Sequence, residues 1–176
     1  MGEKLRRATF VAAISSFCRS QLYRSVAYKH WSKMHVVHCG VDPDFYRISA
    51  AQIAERPRFV CVGRLCEQKG QQLLIEAAAR LAAKGMDFEL VLAGDGEMRP
   101  EIEALIAKYD LHAQVRITGW ISGDQVKQEL LAARALVMAS FAEGLPVVIM
   151  EAMSVQRPVL TCLLYTSDAA DDLLCV

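Results

Sequence analysis

Several features are missing from this 176-residue sequence, and each absence excludes a class of protein. No apolar run approaches the ~18 residues that a membrane-spanning helix needs. The six cysteines include no C-x-x-C pair, which argues against a disulfide framework and a structural zinc site. The apolar segment near the N-terminus is too short for a signal peptide, and no small-residue cleavage site follows it. We therefore expect a cytoplasmic protein without a membrane span, disulfides or a bound metal.

Charge is balanced overall but unevenly distributed along the chain. Twenty Lys and Arg match twenty Asp and Glu, and 53% of the residues are hydrophobic, as in a globular protein. Residues 1–35 carry seven Lys and Arg but a single acid, Glu3. This basic segment is either an ordinary solvated face, or a contact for an anionic acceptor or for anionic lipid at the inner face of the membrane.

The first forty residues predict a short β-α-β arrangement. Strands are expected at 10–14 and 35–37, with a helix between them that Ser15 or Ser16 caps and that runs to about residue 27. A strand would place His35 and His38 on opposite sides, so we expect no metal cluster there. The Gly, Asp and Pro residues that follow predict a domain boundary: a first domain at 1–40, a linker at 41–57 and a second domain at 58–161.

From Arg58 onward, apolar runs of strand length alternate with helical patterns. The helix before the fourth strand begins with Ser122 and Gln125, which predict a capping box. Such alternation predicts an α/β fold with a doubly wound parallel sheet, in which ligands bind at the carboxyl ends of the strands. The five predicted strands are 59–62, 88–93, 115–118, 135–139 and 158–161.

The segment 135–153 is the most informative part of the chain. An apolar strand ends before Glu143-Gly144-Leu145-Pro146, and an apolar helix containing Glu151 follows. Pro146 suits the first turn of a helix, whose unpaired backbone N–H groups attract anions. Glu143 and Glu151 can accept hydrogen bonds from ligand hydroxyls. The alternative is a pair of ordinary surface glutamates that flank a buried helix.

A second loop, residues 63–70, follows the first strand of the larger domain and leads into a helix. Arg64 can bind two phosphate oxygens with its planar guanidinium, and Lys69 adds a point charge, so the loop suits a diphosphate. The alternative is two solvated charges. The Gly94-Asp95-Gly96 turn has Arg99 where a dinucleotide fingerprint needs a third glycine, so NAD is not expected.

Together these two loops resemble those of the retaining GT-B glycosyltransferases of family 4 (group 1). Glu143-x7-Glu151 around Gly-Leu-Pro resembles the family signature, and Gly-Arg-Leu…Lys-Gly in residues 63–70 resembles its diphosphate loop. The resemblance implies a Rossmann-like donor-binding domain, incomplete here, preceded by the end of the N-terminal acceptor domain. The hinge would be at residues 38–42, where the family usually has Asn in place of Cys39.

The resemblance also implies a function and a set of site residues. A sugar would pass, with retention, from a nucleotide-diphosphate sugar to a glycan or lipid-linked acceptor in bacterial polysaccharide biosynthesis. No metal, cofactor or nucleic acid is implied. Arg64 and Lys69 would stabilise the departing diphosphate, and Glu143 would lie beside the donor sugar. The implied catalytic residues are these three, and the implied donor site also contains Gly63, Gly119, Trp120, Gly144, Leu145 and Glu151. A non-catalytic nucleotide-binding or interaction module is the alternative.

The segment 162–176 does not suit this fold. It resembles the translation of sequencing-adapter read-through, and we expect it to be non-native. The alternative is a short native helix capped by Ser167. Most of a GT-B N-terminal domain is also missing from the sequence, so we expect the chain to be an enzyme fragment that is inactive by itself.

Overall fold

The computed structural model describes residues 1–45, 56–143 and 146–162. They divide into two compact units, one made of residues 1–40 and one that begins at Val41. The predicted linker at 41–57 lies largely outside the described residues, as does the segment after Cys162, so the expected linker and tail stay predictions. None of the helices in the described ranges has the length and apolar character that crossing a bilayer requires.

In its described residues, the first unit pairs two short parallel strands. The Ser15 side chain accepts a hydrogen bond from the Cys18 N–H, which confirms the predicted cap. The second helix ends earlier than the predicted residue 27, because Ala27 has an extended backbone and a 3-10 helix follows at Tyr28–Lys33. The elements are α1 (Gly2–Arg7), β1 (Val11–Ala13), α2 (Ser16–Tyr23) and β2 (Met34–Val36).

Two aromatic side chains accompany the early end of α2. The rings of Tyr23 and Trp31 stack with their centroids 4.2 Å apart. Side-chain contacts of this kind can override helical propensity. Because β2 ends at Val36, His38 lies outside the strand, and the prediction that a strand places it opposite His35 is wrong. No three His, Cys, Asp or Glu side chains in the described ranges are arranged to hold a metal ion.

The described residues of the second unit form a sheet of five parallel strands, β3 (Arg58–Val62), β4 (Glu89–Ala93), β5 (Val115–Ile117), β6 (Ala135–Met138) and β7 (Val159–Thr161). Their order in the sheet is β5-β4-β3-β6-β7. The chain thus winds outward from β3 in one direction and then, after β5, in the other, which confirms the predicted doubly wound sheet. The helices that connect the strands are α3 (Gln71–Ala82), α4 (Arg99–Lys108), α5 (Gly123–Ala132) and α6 (Val147–Ser154).

Neighbouring residues along each strand pack into different clusters on the two faces of this sheet. Cys61 and Val137 pack with residues of α3 and α4. Val60 and Leu136 pack with residues of α5 and α6. Apolar side chains on both faces explain why the strands read as continuous apolar runs in the sequence. The polar loops are therefore left to the ends of the strands, where the candidate site lies.

The start of α5 follows the sequence closely. The Ser122 hydroxyl accepts a hydrogen bond from the Gln125 N–H, and the Gln125 side chain accepts one from the Ser122 N–H. This reciprocal arrangement is the predicted capping box. It gives hydrogen-bond partners to two backbone N–H groups that have none within the helix. The cap fixes where α5 begins, and the Gly119–Trp120 loop lies between the end of β5 and this cap.

Candidate active site

Close backbone contacts bring three loops together at the carboxyl edge of the sheet. A Cβ on Gly94, after β4, would lie 2.1 Å from the carbonyl oxygen of Gly63, after β3. A Cβ on Gly70, at the other end of the β3 loop, would lie 2.3 Å from the carbonyl oxygen of Ala139, after β6. Gly70 has φ +62°, a conformation that favours glycine. Glycine thus allows the β3 loop to lie against the loops of both neighbouring strands.

Further hydrogen bonds fix the backbone of the β3 loop. The N–H of buried Leu65 donates to the Asp95 carbonyl at 2.9 Å, and the Met98 N–H donates to the Leu65 carbonyl at 3.0 Å. The buried Gln71 side chain donates to the Arg64 carbonyl at 2.9 Å. These contacts hold the backbone from which the Arg64 side chain extends, and the sequence alone gave no sign of the role of Gln71.

Lys69 and Glu143, from the β3 and β6 loops, form a sheltered ion pair. The Lys69 Nζ lies 2.5 Å from the Glu143 Oε1, and the two side chains are 24% and 7% exposed. Backbone and side-chain bonds tie the same loops together: Gln68 donates from its side chain to the Ala142 carbonyl at 2.7 Å and accepts the Phe141 N–H at 2.9 Å. The structure thus brings together two of the predicted site residues.

Gly63 contributes space for the lysine of this pair. A Cβ at Gly63 would lie 3.6 Å from the Cε of Lys69, and Gly63 has φ +150°. A side chain here would therefore contact the aliphatic part of Lys69 and strain the backbone. The predicted site residues Gly63, Lys69 and Glu143 form one contiguous group at the ends of β3 and β6.

Arg64 forms a second ion pair, which the sequence analysis did not predict. Its Nε and Nη2 each lie 2.9 Å from the Glu97 Oε2. The side chains are 63% and 55% exposed, so water screens the pair. Glu97 directly follows the Gly94-Asp95-Gly96 turn, and β3 and β4 are parallel neighbours. Parallel neighbouring strands place the loops that follow them at the same edge of the sheet, and this relation is the signal from which a contact between Arg64 and Glu97 could have been predicted.

The Gly119 loop, after β5, lies next to another pair of charged side chains. A Cβ on Gly119 would lie 3.5 Å from the Asp95 Oδ2 and 3.6 Å from the Arg99 Nη1. These two atoms are themselves 2.7 Å apart. The hydrogen bond from the Gly96 N–H, and then that from Arg99, lower the pKa of Asp95 below its ordinary value. Trp120 is 71% exposed beside this group.

Glu151 lies on α6 and is partly buried. Burial raises the pKa of its carboxyl above the ordinary value. Within the described residues, no hydrogen bond or ion pair links Glu151 to Lys69 or to Glu143. The other two predicted donor residues, Gly144 and Leu145, lie outside the described residues.

The edge of the sheet therefore offers cations, carboxylates and backbone groups to a polar ligand. Arg64 and Lys69 come from the β3 loop, and each is paired with a carboxylate from a neighbouring loop. Such a set can bind an anionic group by exchange of partners and can accept hydrogen bonds from hydroxyls. This position, outside the carboxyl ends of parallel strands, is where doubly wound sheets bind ligands.

Relatives of the chain share its sequence over most of the second unit. Residues 44–165 match the family described as "Glycosyl transferases group 1". An alpha-D-kanosaminyltransferase from Streptomyces kanamyceticus is 39% identical over 104 residues, which cover 59% of this chain and 27% of that protein. The amylovoran biosynthesis glycosyltransferase AmsK from Erwinia amylovora is 31% identical over 136 residues, which cover 73% of this chain and 33% of that protein.

A solved structure matches the fold. HepE from Anabaena in complex with UDP-glucose has a TM-score of 0.74 at 23% identity, covering 97% of this chain and 50% of that chain. This likeness shows the α/β fold of the GT-B glycosyltransferases. The chain spans between about a quarter and a third of the length of the two curated relatives. The family match extends over more than half of the residues, and the chain therefore belongs to the group 1 glycosyl transferases.

Proposed function

We propose that this chain supplies the donor site of a glycosyltransferase that acts, with retention at the anomeric carbon, on a nucleoside-diphosphate sugar. The observation that carries the proposal is the sheltered ion pair between Lys69 and Glu143, in which Nζ and Oε1 lie 2.5 Å apart. Lys69 belongs to the loop that also carries Arg64. A cation held at the carboxyl edge of a doubly wound sheet is suited to an anionic ligand. The family match supports a nucleotide sugar as that ligand.

Arg64 and Lys69 would act on the diphosphate. As the bond between sugar and diphosphate breaks, negative charge develops on the leaving phosphate oxygens. Two positioned cations stabilise that charge more strongly than they stabilise the intact donor, which lowers the barrier. In this proposal the two cations take the part that a metal ion takes in other sugar transfers, and no metal or cofactor is required.

The two glutamates would orient the rest of the donor. Glu143 keeps lone pairs beyond those that Lys69 uses, so it can accept hydrogen bonds from the sugar, with Gly144 and Leu145 adjoining. Glu151 would hold the ribose hydroxyls. Gly119 and Trp120, at the end of β5, would border the base. Gly119, Arg64, Lys69 and Glu143 belong to loops at the carboxyl ends of strands, and Glu151 lies on α6, the helix that follows the Glu143 loop.

The acceptor is proposed from the relatives and from charge. AmsK is named for amylovoran biosynthesis, so we propose a glycan or lipid-linked acceptor in bacterial polysaccharide assembly. The basic residues of the first unit would then contact anionic lipid at the cytoplasmic face of the membrane. The first unit would be the end of the acceptor-binding domain.

Calorimetry with UDP-, GDP- and ADP-sugars tests the donor site. At least one should bind, and the double variant R64A/K69A should bind it more than about 100-fold more weakly, because each charge-assisted hydrogen bond contributes ~1.5–3 kcal/mol. The control R80A/K84A removes one exposed arginine and one exposed lysine from α3 and the turn after it, and should bind normally. Equal binding by wild type and R64A/K69A would refute the site.

We expect no sugar transfer by the chain alone, since catalysis needs the acceptor to be positioned as well.

A further inference from the structure

The two cations of the candidate site are both neutralised by carboxylates in the structure. Glu143 pairs with Lys69, and Glu97 pairs with Arg64. A nucleoside diphosphate carries several negative charges, so it binds best where cations are in excess. At least one of the two pairs must therefore open, or share its cation, when the diphosphate arrives.

The geometry indicates which pair opens. Glu143 is 7% exposed, and the β3 and β6 loops are held together around it by further hydrogen bonds. Glu97, in contrast, is half exposed and contacts Arg64 through a single oxygen, Oε2. An exposed pair of this kind forms and breaks readily in water. The arginine is therefore the cation that can change partners at low cost.

We infer that Glu97 is a competing counter-ion for Arg64, with which it pairs in the structure and which it must release before a diphosphate binds. The inference rests on the proposed donor site. In this arrangement the apparent affinity for the nucleotide is reduced by the fraction of molecules in which Arg64 is already engaged. Glu97 thus sets how tightly a diphosphate binds without contacting the sugar.

The substitution Glu97→Gln tests the competition. It keeps the size of the side chain but removes its charge, so Arg64 becomes available. With an exposed pair of ordinary strength, the affinity for UDP, GDP or ADP should increase about twofold to sixfold. Added salt should reduce this gain, because salt screens the pair that wild type must break.

A matched control separates this competition from a general effect of charge. Glu101 is an exposed acid four residues further along the chain, in the first turn of α4, and it forms no ion pair with the described residues. Glu101→Gln makes the same change in net charge and should leave the affinity unchanged. In an R64A background, E97Q should give no gain, since its effect is transmitted through Arg64.

Each outcome has a distinct meaning. A gain in E97Q that is absent from E101Q and from R64A/E97Q supports the inference. Unchanged or weaker binding by E97Q, an equal gain in E101Q, or a gain that persists without Arg64 overturns it. If R64A/K69A abolishes binding while E97Q matches wild type, the donor site stands and only the role of Glu97 fails. If wild type binds none of the three nucleotides, both proposals fail together.

Discussion

The two cations of the β3 loop form ion pairs that differ in their exposure to water. Lys69 is anchored to a carboxylate that is almost entirely sheltered, whereas Arg64 reaches a carboxylate that is half exposed. The sequence pattern of residues 63–70 presents the two cations as equivalent partners for a diphosphate. Their surroundings make Lys69 part of the packed edge of the sheet and leave Arg64 on its surface.

The difference shows how burial changes the meaning of a charge. A sheltered pair is costly to separate, because separation would leave a charge with little water around it. An exposed pair contributes little to folding and can exchange partners. Lys69 therefore contributes to the stability of the unit, whereas Arg64 can exchange its partner at little cost.

The largest effect is expected from breaking the turn that carries Lys69 to Glu143. In Gly70→Ala, the new methyl group would meet the Ala139 carbonyl oxygen at 2.3 Å, and the backbone would be strained at φ +62°. Strain and overpacking together should lower the free energy of unfolding by about 2–5 kcal/mol. Chemical denaturation measures the loss.

Gly85→Ala is the matched control for that substitution. Gly85 has φ +70°, close to that of Gly70, but nothing lies within 4 Å of a Cβ placed there. It should therefore show the backbone strain alone, about 1 kcal/mol. If the two variants lose equal stability, the contact between the β3 and β6 loops is not what Gly70 protects.

The next effect compares the two cations directly. Lys69→Met leaves Glu143 sheltered and without its cation, and should lower the free energy of unfolding by about 3 kcal/mol at neutral pH. Arg64→Met breaks only the exposed pair and should cost less than about 1 kcal/mol. Urea unfolding of both variants under the same conditions measures the difference. Similar losses in the two variants would contradict the distinction drawn from exposure.

Much of the fold was predictable because local chemistry and tertiary structure agree. The five strands of the larger sheet were found within a residue or two, since each is apolar on both faces and bounded by polar loops. The capping box of Ser122 and Gln125 was predicted from two side chains three residues apart. The helix after Ser15 was predicted too long. Its early end accompanies the stacking of Tyr23 and Trp31, a side-chain contact that the local apolar pattern does not show.

The site was predictable only in part, for a related reason. Turn composition and helix starts identified Arg64, Lys69 and Glu143 as candidates, and the structure joins the last two. The sequence analysis did not identify the pairing of Glu97 with Arg64, because that contact depends on which strand lies beside β3. Neighbour relations in a parallel sheet join residues far apart in the chain, and the strand order settles them.

A third carboxylate extends the comparison between the pairs. Glu151 is partly buried on α6, and no cation among the described residues forms an ion pair with it. Burial without a compensating charge disfavours the ionised form, which accounts for its raised pKa. Glu151 thus differs from Glu97 and Glu143, each of which has a cation as its partner.

The smallest effect is therefore expected for Glu151→Gln, and it should depend on pH. A carboxyl whose pKa is raised by folding makes wild type less stable as the pH rises from the ordinary value of 4.5 through the raised one. The glutamine variant does not ionise, so it should be slightly more stable than wild type near neutral pH, by at most about 0.5 kcal/mol, and equal to it below pH 4. Thermal unfolding across this pH range measures the difference. The same variant should bind the nucleotide sugar more weakly if Glu151 holds the ribose, because an amide accepts hydrogen bonds less strongly than a carboxylate. A variant that is less stable at neutral pH and unchanged at low pH would show instead that Glu151 has a favourable partner in the folded protein.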